Sequence, residues 1–275
     1  MTLWTVFGIV GAAVFGLVTL LWIVSLLLKD AGIVDVFWGT GFVVANWLYF
    51  VLAPDGFLPR KWLISILITI WGLRLSLRIL LRNWGKPEDF RYRRWREEAG
   101  EKWWWQSYYR VFLLQGFLVC IISSPLLAAH ISPMLDWLTA LDIVAAVVWL
   151  VGFFFEAVGD WQLDRFKADP TNQGKVLRTG LWRYTRHPNY FGDAVQWWAY
   201  YLIAVAAGGY WTFFSPIIMT ELLTRISGVR LLEESLTENK PGYREYVETT
   251  SAFMPWFPRN TKGDQDEVDQ RTPGE

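Results

Sequence analysis

Long, nearly unbroken apolar blocks dominate this chain, and they limit what it can fold into. A helix needs about 20 apolar residues to cross a hydrocarbon core about 30 Å thick. Blocks of roughly that size lie at 3–28, 33–53, 62–81, 109–130, 137–159, 191–208 and 211–227. Hydrophobic residues make up 53% of the chain, against about 45–50% in a typical soluble domain; the clustering decides more than the excess. The sequence therefore predicts an all-α, polytopic integral membrane protein with about seven transmembrane helices.

Turn signals separate the blocks. Lys29-Asp30-Ala31-Gly32 precedes the second, Pro54-Asp55-Gly56 the third, and Gly208-Gly209 divides the last two. The first block has no positive region before it and no small-residue cleavage site after it, so it reads as a membrane helix and not a cleaved signal. We expect one helical domain over 1–260. Residues 261–275 carry a single Val as their only apolar side chain and read as a disordered tail.

Loops on the cytoplasmic side of a membrane carry excess Lys and Arg. Basic residues concentrate in 82–110, in 160–190 and after the last block, while 1–28, 131–136 and 208–212 have none. This alternation places the N-terminus outside and the C-terminus in the cytoplasm. Arg60 and Lys61 are the discordant pair, and the expectation is that they snorkel to the headgroups. A formal net charge of zero implies no bulk attraction to nucleic acid. His130, His187 and the lone Cys120 lie far apart and offer no metal-ligand spacing, so no metal is predicted. Cys120 reads as packing. Gly39-Thr40-Gly41 begins like a dinucleotide fingerprint, but Val44 stands where its third glycine should be.

Polar residues gather at the cytoplasmic ends of the blocks. Asp35 lies just inside the second, where an ionisable side chain is costly and suggests function; a solvated or capping residue at a helix start is the plainer alternative. Trp71, Arg74, Arg78 and Arg82 share one face of the third. The guanidinium fork suits phosphates, though lipid phosphate would serve as well as a ligand. Glu156, Asp160, Asp164 and Lys167 share a face running out of the fifth, either as acceptors for hydroxyl and amide donors or as a solvated helix extension. The stretch from Gly180 to Asp193 is the densest. Pro188 biases His187 away from helix, and the helix that follows points its amide groups at the polar loop, a natural anion site. His187 is a candidate acid, base or cofactor contact there, or an ordinary interfacial residue.

That stretch, with its Arg-His-Pro-Asn-Tyr-Phe-Gly-Asp run, resembles the signature of steroid 5-alpha-reductase-like membrane proteins, especially their bacterial branch. Asp35-Val36-Phe37-Trp38-Gly39, Glu88-Asp89-Phe90-Arg91-Tyr92, Asp160-Trp161-Gln162-Leu163, Ser227-Gly228-Val229 and Phe253-Met254-Pro255-Trp256 add to it. The resemblance implies reduction of a carbon–carbon double bond conjugated to a carbonyl, with NADPH held among seven helices in a bacterial inner membrane. By it, Arg74, Lys86, Asp160, Lys167, Lys175, Arg178, Asn189, Asp193 and Arg230 surround the cofactor, and His187 lies among them. Asp35 falls near a carboxylate that meets the substrate carbonyl, and protonated Asp35, or water it holds, would polarise that carbonyl. Trp71 falls near a catalytic tyrosine and lacks its phenol. Glu156 falls where the steroid enzymes carry Asn. The substrate implied is lipid-like and enters from the bilayer. Isoprenylcysteine carboxyl methyltransferases share the signature more loosely, which makes an S-adenosylmethionine-dependent methyltransferase the rival reading. A non-enzymatic lipid-binding protein is the third.

Overall fold

The computed structural model describes residues 1–132, 137–226, 229, 233, 236, 237 and 240–259. The expected tail and Arg230 lie outside the described residues. Among these residues there is no strand, and most of them are helical. The helices are α1 (Leu3–Leu28), α2 (Ile33–Leu52), α3 (Leu58–Asn83), α4 (Phe90–Ala99), α5 (Trp103–Ser107), α6 (Leu114–Ile122), α7 (Ser124–Ile131), α8 (Ala140–Ala168), α9 (Pro188–Ala206), α10 (Phe214–Glu221) and α11 (Tyr243–Thr249). Among the described residues, five stretches are long and apolar enough to cross a membrane: α1, α2, α3, the run Phe90–Ile131 and α8. Helices α9 and α10 lie over the expected sixth and seventh spans.

The chain divides into two compact units. The first holds Met1–Ala145 and Tyr200–Ser215, the second Ala146–Ala199 and Pro216–Glu275.

In the first unit, α1 is capped at its start by the Thr2 hydroxyl, which accepts from Thr5 N–H. It ends at Lys29, which adopts a left-handed φ of 55°. Helices α2 and α3 touch backbone to backbone at Gly39 and Gly72. A Cβ on Gly39 would stand 2.4 Å from the Gly72 carbonyl oxygen. The Gly-Thr-Gly run thus serves helix contact, because lipid offers no hydrophobic drive between helices and small residues permit close van der Waals approach. Thr40 and Ser76 hydrogen-bond across the same seam at 2.8 Å. Farther along, Asn46 donates to Ser65 and its amide oxygen accepts from buried His130 Nε2 at 2.9 Å. Cys120 is a buried free thiol, in keeping with a packing role.

Arg60 and Lys61 correct the snorkelling expectation. Both are buried, Arg60 completely. Arg60 forms a two-pronged ion pair with Asp142 at 2.8 and 2.9 Å. Thr139 completes the carboxylate with its N–H and hydroxyl, at 2.8 and 2.9 Å. Lys61 donates to the Ala53 carbonyl and stands over the Phe50 ring at 4.6 Å. The apparent excess of positive charge is therefore answered inside the protein.

In the second unit, α8 and α9 make the same kind of seam. A Cβ on Gly192 would stand 2.3 Å from the Gly152 oxygen and 2.4 Å from the Glu156 nitrogen. This contact brings the start of α9 onto the polar end of α8.

Candidate functional site

Asp35 lies in the first turn of α2 and accepts on both oxygens. The Tyr92 phenol donates to one at 2.7 Å and Arg91 Nη2 to the other at 3.0 Å. Arg91 also donates to Asp89 at 2.9 Å, and Asp89 caps α4 by accepting from Arg91 N–H. Burial pushes the Asp89 carboxyl up, but its bonds from Arg91 outweigh this and hold it below the usual range. Next to it, Glu88 takes Ala31 N–H and the Arg96 fork, each at a shortest distance of 2.7 Å. The loop before α4 is thereby stapled to the turn between α1 and α2. The start of α2 thus holds one carboxylate oxygen pair between a phenol and a guanidinium.

Trp71 is fully buried in α3, edge-on to Phe42 with ring centroids 5.9 Å apart. Arg74 lies on the next turn of the same face and is partly buried, while Arg82 and Lys86 are exposed.

In the second unit, the α8–α9 seam gathers the predicted acceptors. Glu156, Asp160 and Asp193 are all buried, at 3%, 5% and 7% exposure. Gln196, wholly buried, donates to Glu156 at 2.6 Å and to the Gly192 carbonyl at 3.2 Å. The side-chain oxygens of Asn189 and Gln196 are buried with no hydrogen-bond partner among the described residues. Most buried polar atoms in proteins are satisfied, so this end of the seam has acceptor capacity left over. Asp164, Lys167 and Lys175 are exposed.

The dense stretch before α9 is a clamp. Gly180 has φ of 63°, and a Cβ on it would fall 2.3 Å from Gln162 Nε2. Leu181 N–H donates to the Gln162 side chain and Trp182 Nε1 to the Gly159 carbonyl, both at 3.0 Å. Arg186 grips Glu233 with two bonds of 2.7 and 3.0 Å, and its third nitrogen reaches the Val247 and Thr250 carbonyls. His187 Nε2 meets Glu233 at 3.1 Å. Burial raises the Glu233 carboxyl, but the bonds from His187 and Arg186 win and bring it down to about 2. Arg178 donates to the Gly242 carbonyl and to Glu245 at 3.1 Å. Tyr246 donates to the Trp182 carbonyl, and burial pushes the neighbouring Tyr243 phenol up to about 12.

Tyr92, Gln196, Arg186 and Glu233 were not among the sequence-based candidates. Tyr92 and Arg186 lay inside quoted motifs. Gln196 and Glu233 gave no signal of their own, one being uncharged and the other far from its partners in sequence. The structure joins Asn189 and Glu156 along one seam and ties His187 and Arg178 to carboxylates of their own unit.

Comparison with known proteins places the chain. An uncharacterized protein of Schizosaccharomyces pombe, C594.04c, is 27% identical over 270 residues, covering 88% of this chain and 77% of its own. The 3-oxo-5-alpha-steroid 4-dehydrogenase 1 of Bos taurus is 29% identical over 141 residues, 50% of this chain and 54% of its own. The Rattus norvegicus protein of that name is 27% identical over 120 residues, 42% and 46% respectively. The chain spans about half the length of these steroid dehydrogenases. No solved structure matches it. The profile described as protein of unknown function DUF1295 matches residues 21–250. The chain therefore belongs to the DUF1295 family of membrane proteins, which is steroid 5-alpha-reductase-like.

Proposed function

We propose that this protein is a membrane-embedded reductase of a carbon–carbon double bond conjugated to a carbonyl in a lipid-like substrate, with NADPH as the reductant. The observation that carries this reading is the unspent acceptor capacity on the α8–α9 seam, where the Asn189 and Gln196 oxygens lack partners among the described residues. A buried acceptor left unmade costs about 1–3 kcal/mol, so a fitting ligand brings N–H and O–H donors. The carboxamide and ribose hydroxyls of a nicotinamide nucleotide are such donors. The named mammalian relatives act, by their names, as dehydrogenases of 3-oxo steroids, which supports redox chemistry next to a carbonyl.

The bound nucleotide would supply the hydride. Gln196 fixes the orientation of Glu156 for the carboxamide, while Asp160 and Asp193 accept from hydroxyls. Lys167 and Lys175 stand in water where phosphates are accessible. We assign Arg74, Lys86 and Arg230 to the phosphates on family resemblance alone. Arg178 and His187, braced by Glu245 and Glu233, act as scaffold for the loop. We assign Asp35, with Tyr92 and Arg91 around it, and Trp71 to the substrate on family resemblance alone. The basic loops set the nucleotide side in the cytoplasm, with the N-terminus outside.

Proteoliposomes given deuterium-labelled NADPH and a panel of lipid-soluble enones test this. We expect one deuterium on the carbon β to the carbonyl of a saturated product. Unlabelled product, or no consumption with any enone while the protein is folded, would overturn the assignment.

A further inference from the structure

The end of the described chain carries a surface that reductase chemistry leaves unused. In Phe253-Met254-Pro255-Trp256-Phe257-Pro258, the side chains of Met254, Trp256 and Phe257 are 62%, 72% and 75% exposed. The backbone beneath them is pinned. Trp256 N–H donates to the Tyr184 carbonyl and the Thr185 hydroxyl to the Phe253 carbonyl, both at 2.9 Å. Arg259 N–H donates to the Thr249 carbonyl at 2.8 Å. Phe253 meets Phe191 of α9 with ring centroids 5.9 Å apart. Three large apolar side chains are thus held outward by a fixed strap, and such patches mark interaction or membrane surfaces.

The level of the strap on α8 is also fixed. Its anchor, the turn at 180–184, is tied to Gly159 and Gln162. There α8 changes from Phe153-Phe154-Phe155 to exposed Asp164, Arg165 and Lys167. Trp161 is 57% exposed at the change, with the Arg165 guanidinium over its ring at 5.5 Å. Exposed Trp at the end of a spanning helix belongs to the headgroup level.

Beside the strap lies an open groove of about 390 Å³, lined by Arg178, Thr179, Gly180, Arg183, Thr249, Thr250 and Pro258. It offers the Arg183 guanidinium and three threonine hydroxyls, with Arg178 held to Glu245 at its edge. Pro258 belongs to both groove and strap, so apolar patch and cationic groove are continuous. That combination complements an anionic phospholipid, whose phosphate and acyl chains are likewise continuous.

We propose that residues 253–258 lie in the headgroup layer with Met254, Trp256 and Phe257 against acyl chains, and that the adjoining groove binds the phosphate of an anionic phospholipid. This does not depend on the reductase reading. Arg183 is the cation to change, because Arg178 also braces Glu245.

Two measurements on the full chain test it. A spin label at Phe257→Cys, in a Cys120→Ser background in nanodiscs, should be more accessible to oxygen than to a soluble nickel chelate. The reverse, or spin–spin coupling between two copies, would overturn the bilayer contact. Native mass spectrometry after exchange into phosphatidylcholine–phosphatidylglycerol mixtures should show retained phosphatidylglycerol. Arg183→Gln should weaken that retention about fivefold, which is what one Arg contributes near an anionic surface. Retention unchanged by Arg183→Gln, or displaced by inorganic phosphate or by NADPH, would overturn the lipid assignment.

Discussion

Removing Asp142 should be among the most damaging single changes outside the candidate site. The Arg60–Asp142 pair has zero side-chain exposure on both partners. Asp142→Ala deletes two charge-assisted bonds from Arg60 and two acceptor contacts to Thr139. It leaves a guanidinium, which cannot discharge itself by losing a proton, in a water-free setting. Breaking a buried pair from one side costs about 3–5 kcal/mol, whereas replacing both partners by apolar residues of similar volume is often neutral or stabilising. Arg60→Met combined with Asp142→Leu should therefore lie within about 1 kcal/mol of the parent. Equilibrium unfolding in mixed detergent micelles, followed by circular dichroism, measures both. If Asp142→Ala costs less than about 1 kcal/mol, Arg60 reaches water and the buried pair described above is wrong. If the double variant is as unstable as the single one, the cost comes from packing and not from charge.

Gly192→Val should lose about 1–3 kcal/mol or more by forcing α8 and α9 apart, while Gly8→Val, whose Cβ would meet nothing within 4 Å, should be neutral; thermal melting in detergent compares them. The Glu233 carboxyl is depressed to about 2 from an ordinary 4.5, so its contribution is present above the ordinary value and lost as pH falls through about 2. Acid unfolding should therefore show a component of roughly 2–3 kcal/mol in that window, absent in Glu233→Gln, and an identical acid profile in that variant would contradict the clamp. Glu156→Gln should weaken nucleotide binding about tenfold or more, since a hydrogen bond to a charged group contributes about 1.5–3 kcal/mol; calorimetric titration reads it, and unchanged affinity would remove Glu156 from the site.

What the sequence disclosed depended on charge in apolar surroundings. Asp35, Glu156 and Asp160 announced themselves because each interrupts a hydrophobic run, and the helical periodicity around them was already plain. Their partners were invisible for a physical reason. Tyr92 is 57 positions from Asp35, and Glu233 is 46 from His187. Only tertiary structure brings these together. Gln196 carries no charge, so nothing distinguished it from a tolerated polar residue in a helix. Arg60 misled for the same reason: its neutralising partner lies 82 positions away, and a charge near a span end looks like a snorkelling residue until that partner is seen. Glycine spacing was readable only in part. Gly39 resembled a nucleotide motif, yet its use is contact with Gly72.

The cofactor separates a reductase from a methyltransferase. Purified protein in detergent, titrated in parallel with NADPH, NADH and S-adenosylmethionine, tests it most directly. S-adenosylmethionine carries a sulfonium and no phosphate, whereas NADPH brings a pyrophosphate and a 2′-phosphate to the exposed lysines near the α8–α9 seam. NADPH should bind saturably, NADH more weakly through loss of one phosphate, and S-adenosylmethionine not at all. Saturable S-adenosylmethionine binding without NADPH binding would contradict the reductase assignment.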